Sequence, residues 1–244
     1  MVDPRIVASG SGAMVFDAAL PESPSQAWFD PAFWQRQGRM LSADGGRGGV
    51  AFIDTPVGSC VLRHYRRGGW MAPLLGDRYL WNGRTHSRGF AEFRLLAELF
   101  LRSLPVPAPI AARYQRRGPY YAADLITRTI EGAVTLAHMI HERHLDAGLA
   151  EQVGGLVARF HDAGVDHADL NAHNILVNAN GLWLIDFDRG EIRATGTAWK
   201  LANLARLKRS LLKVGACDHD EVALDGQIWT PLMRGYERAS GKNP

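Results

Sequence analysis

The sequence predicts an α+β chain of two lobes: a β-rich first part with one main helix, then a mostly helical second part. Three observations carry that expectation. Short apolar runs separated by turn residues recur between positions 50 and 127. Among them, residues 87–101 place Phe90, Phe93, Leu96, Leu99 and Phe100 at helical spacing. After Thr127 the period turns helical and stays so, apart from one hairpin at 167–186. The expected division is 1–128 for the sheet lobe and 129–244 for the helical lobe, forming one domain with a ligand cleft between them.

Taken in order, residues 1 to about 40 mix Pro, Ser and aromatics and predict an irregular arm with a short helix near 27–36. Gly45-Gly46-Arg47-Gly48-Gly49 is a tight, flexible turn. Strands at 50–54 and 59–65 flank Thr55-Pro56-Val57-Gly58, which predicts a hairpin ended by Arg66-Arg67-Gly68-Gly69. Residues 70–86 form a long connection rich in Trp, Arg and Gly. Pro105, Pro107 and Pro109 stop the 87–101 helix, and 110–114 and 120–127 follow as strands. Helices are then expected over 134–143, 146–163, 198–214 and 219–239.

At 244 residues the chain buries a sizeable core, and 46% hydrophobic with 22% charged residues excludes disorder. No run of 18 or more apolar residues offers a spanning helix, and the N-terminus has no export signal pattern. Cys60 and Cys217 are too few for a disulfide framework and fit a reducing cytosol. The formal net charge is only +3, so the location of the positive charge matters more than its total. No nucleic-acid-binding module is recognisable, and no obligate protein partner is evident.

The chemistry concentrates in His167-Ala168-Asp169-Leu170-Asn171-Ala172-His173-Asn174, followed a dozen residues later by Asp186-Phe187-Asp188. Apolar runs at 175–177 and 182–185 make the intervening hairpin. Two carboxylates and an amide then meet at one end of it. Phosphoryl transfer from a magnesium nucleotide needs that set. Asp169 is the candidate base for an acceptor hydroxyl; Asn174 and Asp186 are candidate magnesium ligands. Asn171 holds the loop or helps the metal. His167 braces the loop through a backbone hydrogen bond. A zinc hydrolase built on His167, Asp169 and His173 leaves Asn174 and Asp186 without a role. His138, His141 and His144 read as a solvent-facing stripe.

This arrangement resembles the protein-kinase-like superfamily, whose signature is His-Arg-Asp, four residues, Asn, then Asp-Phe-Gly. The resemblance implies that Asp169 is the catalytic aspartate, Asn174 the secondary magnesium ligand and Asp186 the principal one, with ATP and Mg2+ as cofactors. It makes Gly46 and Gly48 part of a loop over the nucleotide phosphates. It places Arg63 where the family has its strand lysine, with Glu92 as its partner and Glu98 as the alternative. Ala168 replaces the loop arginine, Asp188 replaces the glycine, and no Ala-Pro-Glu follows. These departures point away from protein substrates toward a sugar or another small hydroxylated acceptor.

Arg63 to Gly69, Leu74 to Trp81, Arg88 with Phe90 and Glu92, the Asp169 loop and Asp186 to Gly190 are similar to the bacterial 3-deoxy-D-manno-octulosonic acid (Kdo) kinases. That resemblance covers about residues 45–215. It implies ATP-dependent phosphorylation of the 4-hydroxyl of Kdo on a lipid A precursor during lipopolysaccharide core assembly. The expected location is peripheral, on the cytoplasmic face of the bacterial inner membrane. Two clusters suit an acidic lipid on an anionic membrane surface: Arg63, Arg66, Arg67, Arg78, Arg84 and Arg88, then Arg189, Arg193, Lys200, Arg206, Lys208, Arg209 and Lys213. Trp70, Met71, Leu74, Leu75 and Trp81 suit the bilayer interface. The alternatives are a kinase for a core heptose and, in another class, a pseudokinase-like membrane-binding module.

Overall fold

A computed structural model describes residues 2–44, 49–65, 79–194 and 196–241, and divides them into two compact units. The first comprises Met1–Ser103 and Pro107–Ile130, the second Leu104–Val106 and Glu131–Pro244. The glycine-loop positions Gly46 and Gly48, and the basic and aromatic stretch 66–78, lie outside the described residues.

The first unit is an antiparallel sheet with helices packed on it. Its strands are β1 (Pro4–Ser9), β2 (Gly12–Asp17), β3 (Met40–Asp44), β4 (Val50–Thr55), β5 (Gly58–His64), β6 (Tyr79–Leu80), β7 (Pro109–Arg117) and β8 (Tyr120–Arg128). Their order is β1-β2-β7-β8-β5-β4-β3, with β6 also paired to β8. Trp28, Phe29 and Trp34 pack with Phe16, Ile53, Leu62, Ile110 and Ile126 in a buried cluster. The irregular arm expected before residue 40 is therefore corrected: β1 and β2 are a hairpin, and Ala13 to Phe16 is a fully buried run paired to β7. The short helix is present as α1 (Pro31–Arg36), capped by Asp30, which accepts from the Ala32 amide at 3.0 Å. The main helix α2 (Arg88–Leu101) buries Phe90, Phe93, Leu96 and Leu99, but Phe100 is exposed.

The second unit opens with β9 (Val134–Thr135), α3 (Leu136–His141) and α4 (Ala147–Asp162). The helix expected over 134–143 is thus shortened at its start, because Val134 and Thr135 pair with a later strand. Asp146 caps α4 by accepting from the Leu149 amide at 2.7 Å. Then come β10 (Val165–Asp166), β11 (Ile175–Asn178), β12 (Gly181–Leu184), β13 (Glu191–Ile192), α5 (Thr197–Lys213), α6 (Glu221–Leu224) and α7 (Thr230–Ala239). The helix expected over 219–239 runs from Glu221 to Ala239, with a π-helical stretch at Asp225–Trp229 joining α6 to α7. α4 and α7 cross at backbone distance. A Cβ on Gly154 would meet the Leu232 carbonyl oxygen at 1.9 Å, and one on Gly235 the Glu151 oxygen at 2.0 Å. His138, His141 and His144 are exposed. Among the described residues no helix is long and apolar enough to cross a membrane.

Candidate active site

The loop between β10 and β11 is held mainly through its backbone. Buried His167 uses both ring nitrogens: Nε2 donates to the Ile185 carbonyl at 2.9 Å, and Nδ1 accepts from the Asp169 amide at 3.3 Å. Burial lowers the His167 pKa, so the ring stays neutral, as that tautomer requires. With both nitrogens engaged, His167 has none left for a metal, which removes the zinc-site alternative. The Phe187 ring covers it at 4.8 Å.

Two amide side chains converge on one carbonyl in this loop. Asn174 Nδ2 donates to the Asp169 carbonyl at 2.9 Å, and Asn171 Nδ2 donates to the same oxygen at 2.9 Å. Asn171 Oδ1 also accepts from the His173 amide at 2.8 Å, so its role is to hold the loop. The hairpin register sets Ile175 opposite Leu184, and the Ile185 amide donates to the Asn174 carbonyl at 3.0 Å. Asp186 therefore follows directly on the residue bonded to Asn174. Its backbone takes φ +64°, a left-handed conformation that Asp tolerates better than most residues and that marks functional turns. The Asp169 carboxylate is exposed.

The donor set suits a magnesium ion bound with nucleotide phosphates. It offers hard oxygens only, one from a carboxylate and one from an amide whose nitrogen is already committed to Asp169. Among the described residues no group of three or more His, Cys, Asp and Glu side chains could hold a metal alone. Magnesium that shares phosphate oxygens and keeps waters needs no such group.

Sequence reasoning did not assign the helix that clamps this loop. Asn203 of α5 accepts from the His167 amide at 3.2 Å and donates to Asp166 at 2.9 Å. Ser210 accepts from the Ala172 amide at 3.0 Å, and Arg206 lies 3.6 Å from the Asp169 carboxylate. The visible signal was Asn203, a buried amide amid the apolar face of a helix.

In the first unit, Arg63 of β5 and Glu92 of α2 form a two-pronged ion pair at 3.2 and 3.0 Å. The Tyr65 hydroxyl donates to the same carboxylate at 2.5 Å. Glu98 instead pairs with Arg102 one turn along the helix, at 2.8 Å. A second network was not foreseen. Buried Asp124 of β8 bonds His64 and Arg113, each at 2.6 Å, and Arg113 reaches the Gln26 and Phe29 carbonyls.

The two basic clusters are less uniform than expected. Arg88 lies over the Tyr79 ring at 4.3 Å, Arg193 pairs with Asp166, Lys200 with Asp162 and Lys208 with Asp225. Trp81 is half-buried against Tyr114 at 4.7 Å and under Arg116, so its ring is committed to the sheet rather than offered to a bilayer.

Comparison with known proteins places this geometry. The family model described as Lipopolysaccharide kinase (Kdo/WaaP) family matches residues 31–236. The chain is 48% identical over 235 residues to the 3-deoxy-D-manno-octulosonic acid kinase of Stenotrophomonas maltophilia (strain K279a), covering 94% of this chain and 91% of that one. It is 48% identical over 236 residues to the enzyme of the same name from Xanthomonas campestris pv. campestris (strain B100), covering 96% and 92%. The solved structure of WaaP in complex with acyl carrier protein matches with TM-score 0.52 at 18% identity, over 86% of this chain and 87% of that one. That likeness is one of fold and agrees with the α+β kinase-like class expected from the sequence. The chain belongs to the lipopolysaccharide kinase (Kdo/WaaP) family.

Proposed function

We propose that this protein is a Kdo kinase, transferring the γ-phosphoryl group of ATP to the 4-hydroxyl of Kdo on a lipid A precursor. The observation that supports this most is the loop in which His167 and Ile185 bind Asp169, Asn174 and the start of Asp186 into one unit. The relatives that bear the Kdo-kinase name extend over nearly the whole chain. Asp169 accepts the proton of the sugar hydroxyl as its oxygen attacks the γ-phosphorus, and it aims that oxygen. Asn174 and Asp186 would hold magnesium, which would supply positive charge against the phosphates. Arg63, fixed by Glu92 through both prongs, brings its positive charge to the nucleotide phosphates in place of a lysine. Gly46 and Gly48, which lie outside the described residues, are assigned to the loop over the same phosphates. The enzyme works at the cytoplasmic face of the inner membrane, where its lipid acceptor is anchored.

The test is to incubate the purified protein with ATP, magnesium and Kdo-bearing lipid A precursor and to look for one added phosphate by mass. Asp169→Ala is expected to lower kcat by about 10²- to 10⁴-fold. Transfer at the wild-type rate by that variant removes the assigned base. Phosphate arriving only on a heptose-bearing lipid reassigns the acceptor.

A further inference from the structure

One pocket of the second unit has a charge balance that the phosphoryl-transfer residues do not explain. It has a volume of about 620 Å³ and is lined by Asp169, Asn171, His173, Arg206, Arg209 and Lys213, among others. Asp169 is the one carboxylate among its described lining residues. Arg206, Arg209 and Lys213 follow one another at spacings of three and four on α5, so they share one face of the helix. Their α-carbons span about 10 Å along the axis. Among the described residues Arg209 and Lys213 have no carboxylate partner, whereas Lys200 and Lys208 of the same helix are paired. Two uncompensated cations on the helix face that meets the base call for an anion on the molecule whose hydroxyl that base receives.

We propose that Arg209 and Lys213, with Arg206 at their head, form the subsite for the carboxylate of the acceptor sugar. The inference rests on the Kdo-kinase reading and assigns its acceptor specificity. In Kdo the carboxyl-bearing ring carbon and the 4-hydroxyl carbon are separated by a single ring carbon. With the hydroxyl on Asp169, the carboxylate lies within one sugar ring of the base, and the pocket onto which that base opens is lined by the three cations. Arg206 and Asp169 are both exposed, and such surface pairs are weak. An arriving carboxylate takes Arg206 over through its fork and leaves Asp169 to the hydroxyl. The anion that binds is thus the switch that readies the base, and a neutral sugar of the same shape leaves the Arg206–Asp169 pair closed.

The experiment compares wild type, Arg209→Gln, Lys213→Gln and the double variant on three acceptors. These are Kdo-bearing lipid A precursor, the same lipid with the Kdo carboxyl methyl-esterified, and the lipid stripped of its phosphates. Arg143→Gln, a cation outside the pocket, controls for loss of charge alone. The double variant is expected to raise KM for the acid acceptor by about tenfold or more. KM for ATP should move by less than about twofold. Wild type should discriminate against the ester by a similar factor, and the double variant should scarcely tell acid from ester. An equal penalty on acid and ester overturns the subsite. A penalty that persists on the ester but vanishes on the phosphate-free lipid also overturns it and gives the cations to the lipid phosphates. Wild type that phosphorylates none of these acceptors overturns the Kdo-kinase reading itself, a result distinct from either.

Discussion

Two arginine–carboxylate pairs, one in each unit, have opposite designs. In the pair of Arg63 and Glu92 the carboxylate is 1% exposed, both guanidinium prongs are used, and Tyr65 adds a third bond. In the pair of Arg206 and Asp169 the side chains are 47% and 61% exposed, and the separation is 3.6 Å. The first is expensive to break, because a buried carboxylate without its cation has lost its solvation and gained nothing. The second exchanges with water, ions or substrate at almost no cost. A group that holds a scaffold needs the first design; a group that must surrender its partner at each turnover needs the second.

The largest expected effect tests the buried side. Arg63→Ala strands the buried Glu92 carboxylate and should lower unfolding stability by about 3–5 kcal/mol, read from a urea melt. A loss under about 1 kcal/mol would place this pair with the exposed one and erase the contrast. Acid tests what burial does to a titratable ring whose desolvation outweighs its polar neighbours. His161 of α4 bonds the Tyr236 hydroxyl at 2.9 Å, and desolvation pushes its pKa down to about 4. Between about pH 6.5 and 4 the unfolded chain binds a proton there that the native state refuses. Stability should therefore fall as pH falls through that window, by up to about 3 kcal/mol from this residue. His167, lowered in the same direction, adds with the same sign. A His161→Gln protein with an unchanged acid limb would show that this ring is not the source. Arg63→Lys keeps the charge and loses the fork; we expect a stability loss of about 1 kcal/mol by thermal melt. Arg206→Gln should change stability by less than about 1 kcal/mol, and a larger loss would mean that the exposed pair is structural.

The parts of the molecule legible in the sequence are those whose logic is local. The Asp169 loop and its hairpin fit within 20 residues, so spacing alone brings Asp169, Asn174 and Asp186 near each other. α2 and α5 declare themselves by period, and the 55–58 turn by its Pro and Gly. The first hairpin did not, because β1 is exposed along most of its length and shows no alternation. Its signal was Ser9-Gly10-Ser11-Gly12 ahead of the apolar run 13–16, a turn before a buried strand. The fate of each arginine was not legible either. Arg193 finds Asp166 and Lys208 finds Asp225 through the folding of distant segments, and composition counts them alike with Arg209 and Lys213. Asn203 is the same kind of case: its partners Asp166 and His167 lie 37 and 36 residues away.

The crossing of α4 and α7 has a consequence for how the gene tolerates change. Gly154 and Gly235 each present a hydrogen atom to a carbonyl oxygen of the other helix, so the two helices have no adjustable spacer between them. α4 runs directly into β10 and the Asp169 loop, which makes that spacing a gauge for where the loop begins. In a saturation scan of this chain, positions 154 and 235 should be as intolerant as Asp169. Their failures would read as lost protein rather than lost turnover, and the second of them lies in the last helix, where a scan for chemistry would not look.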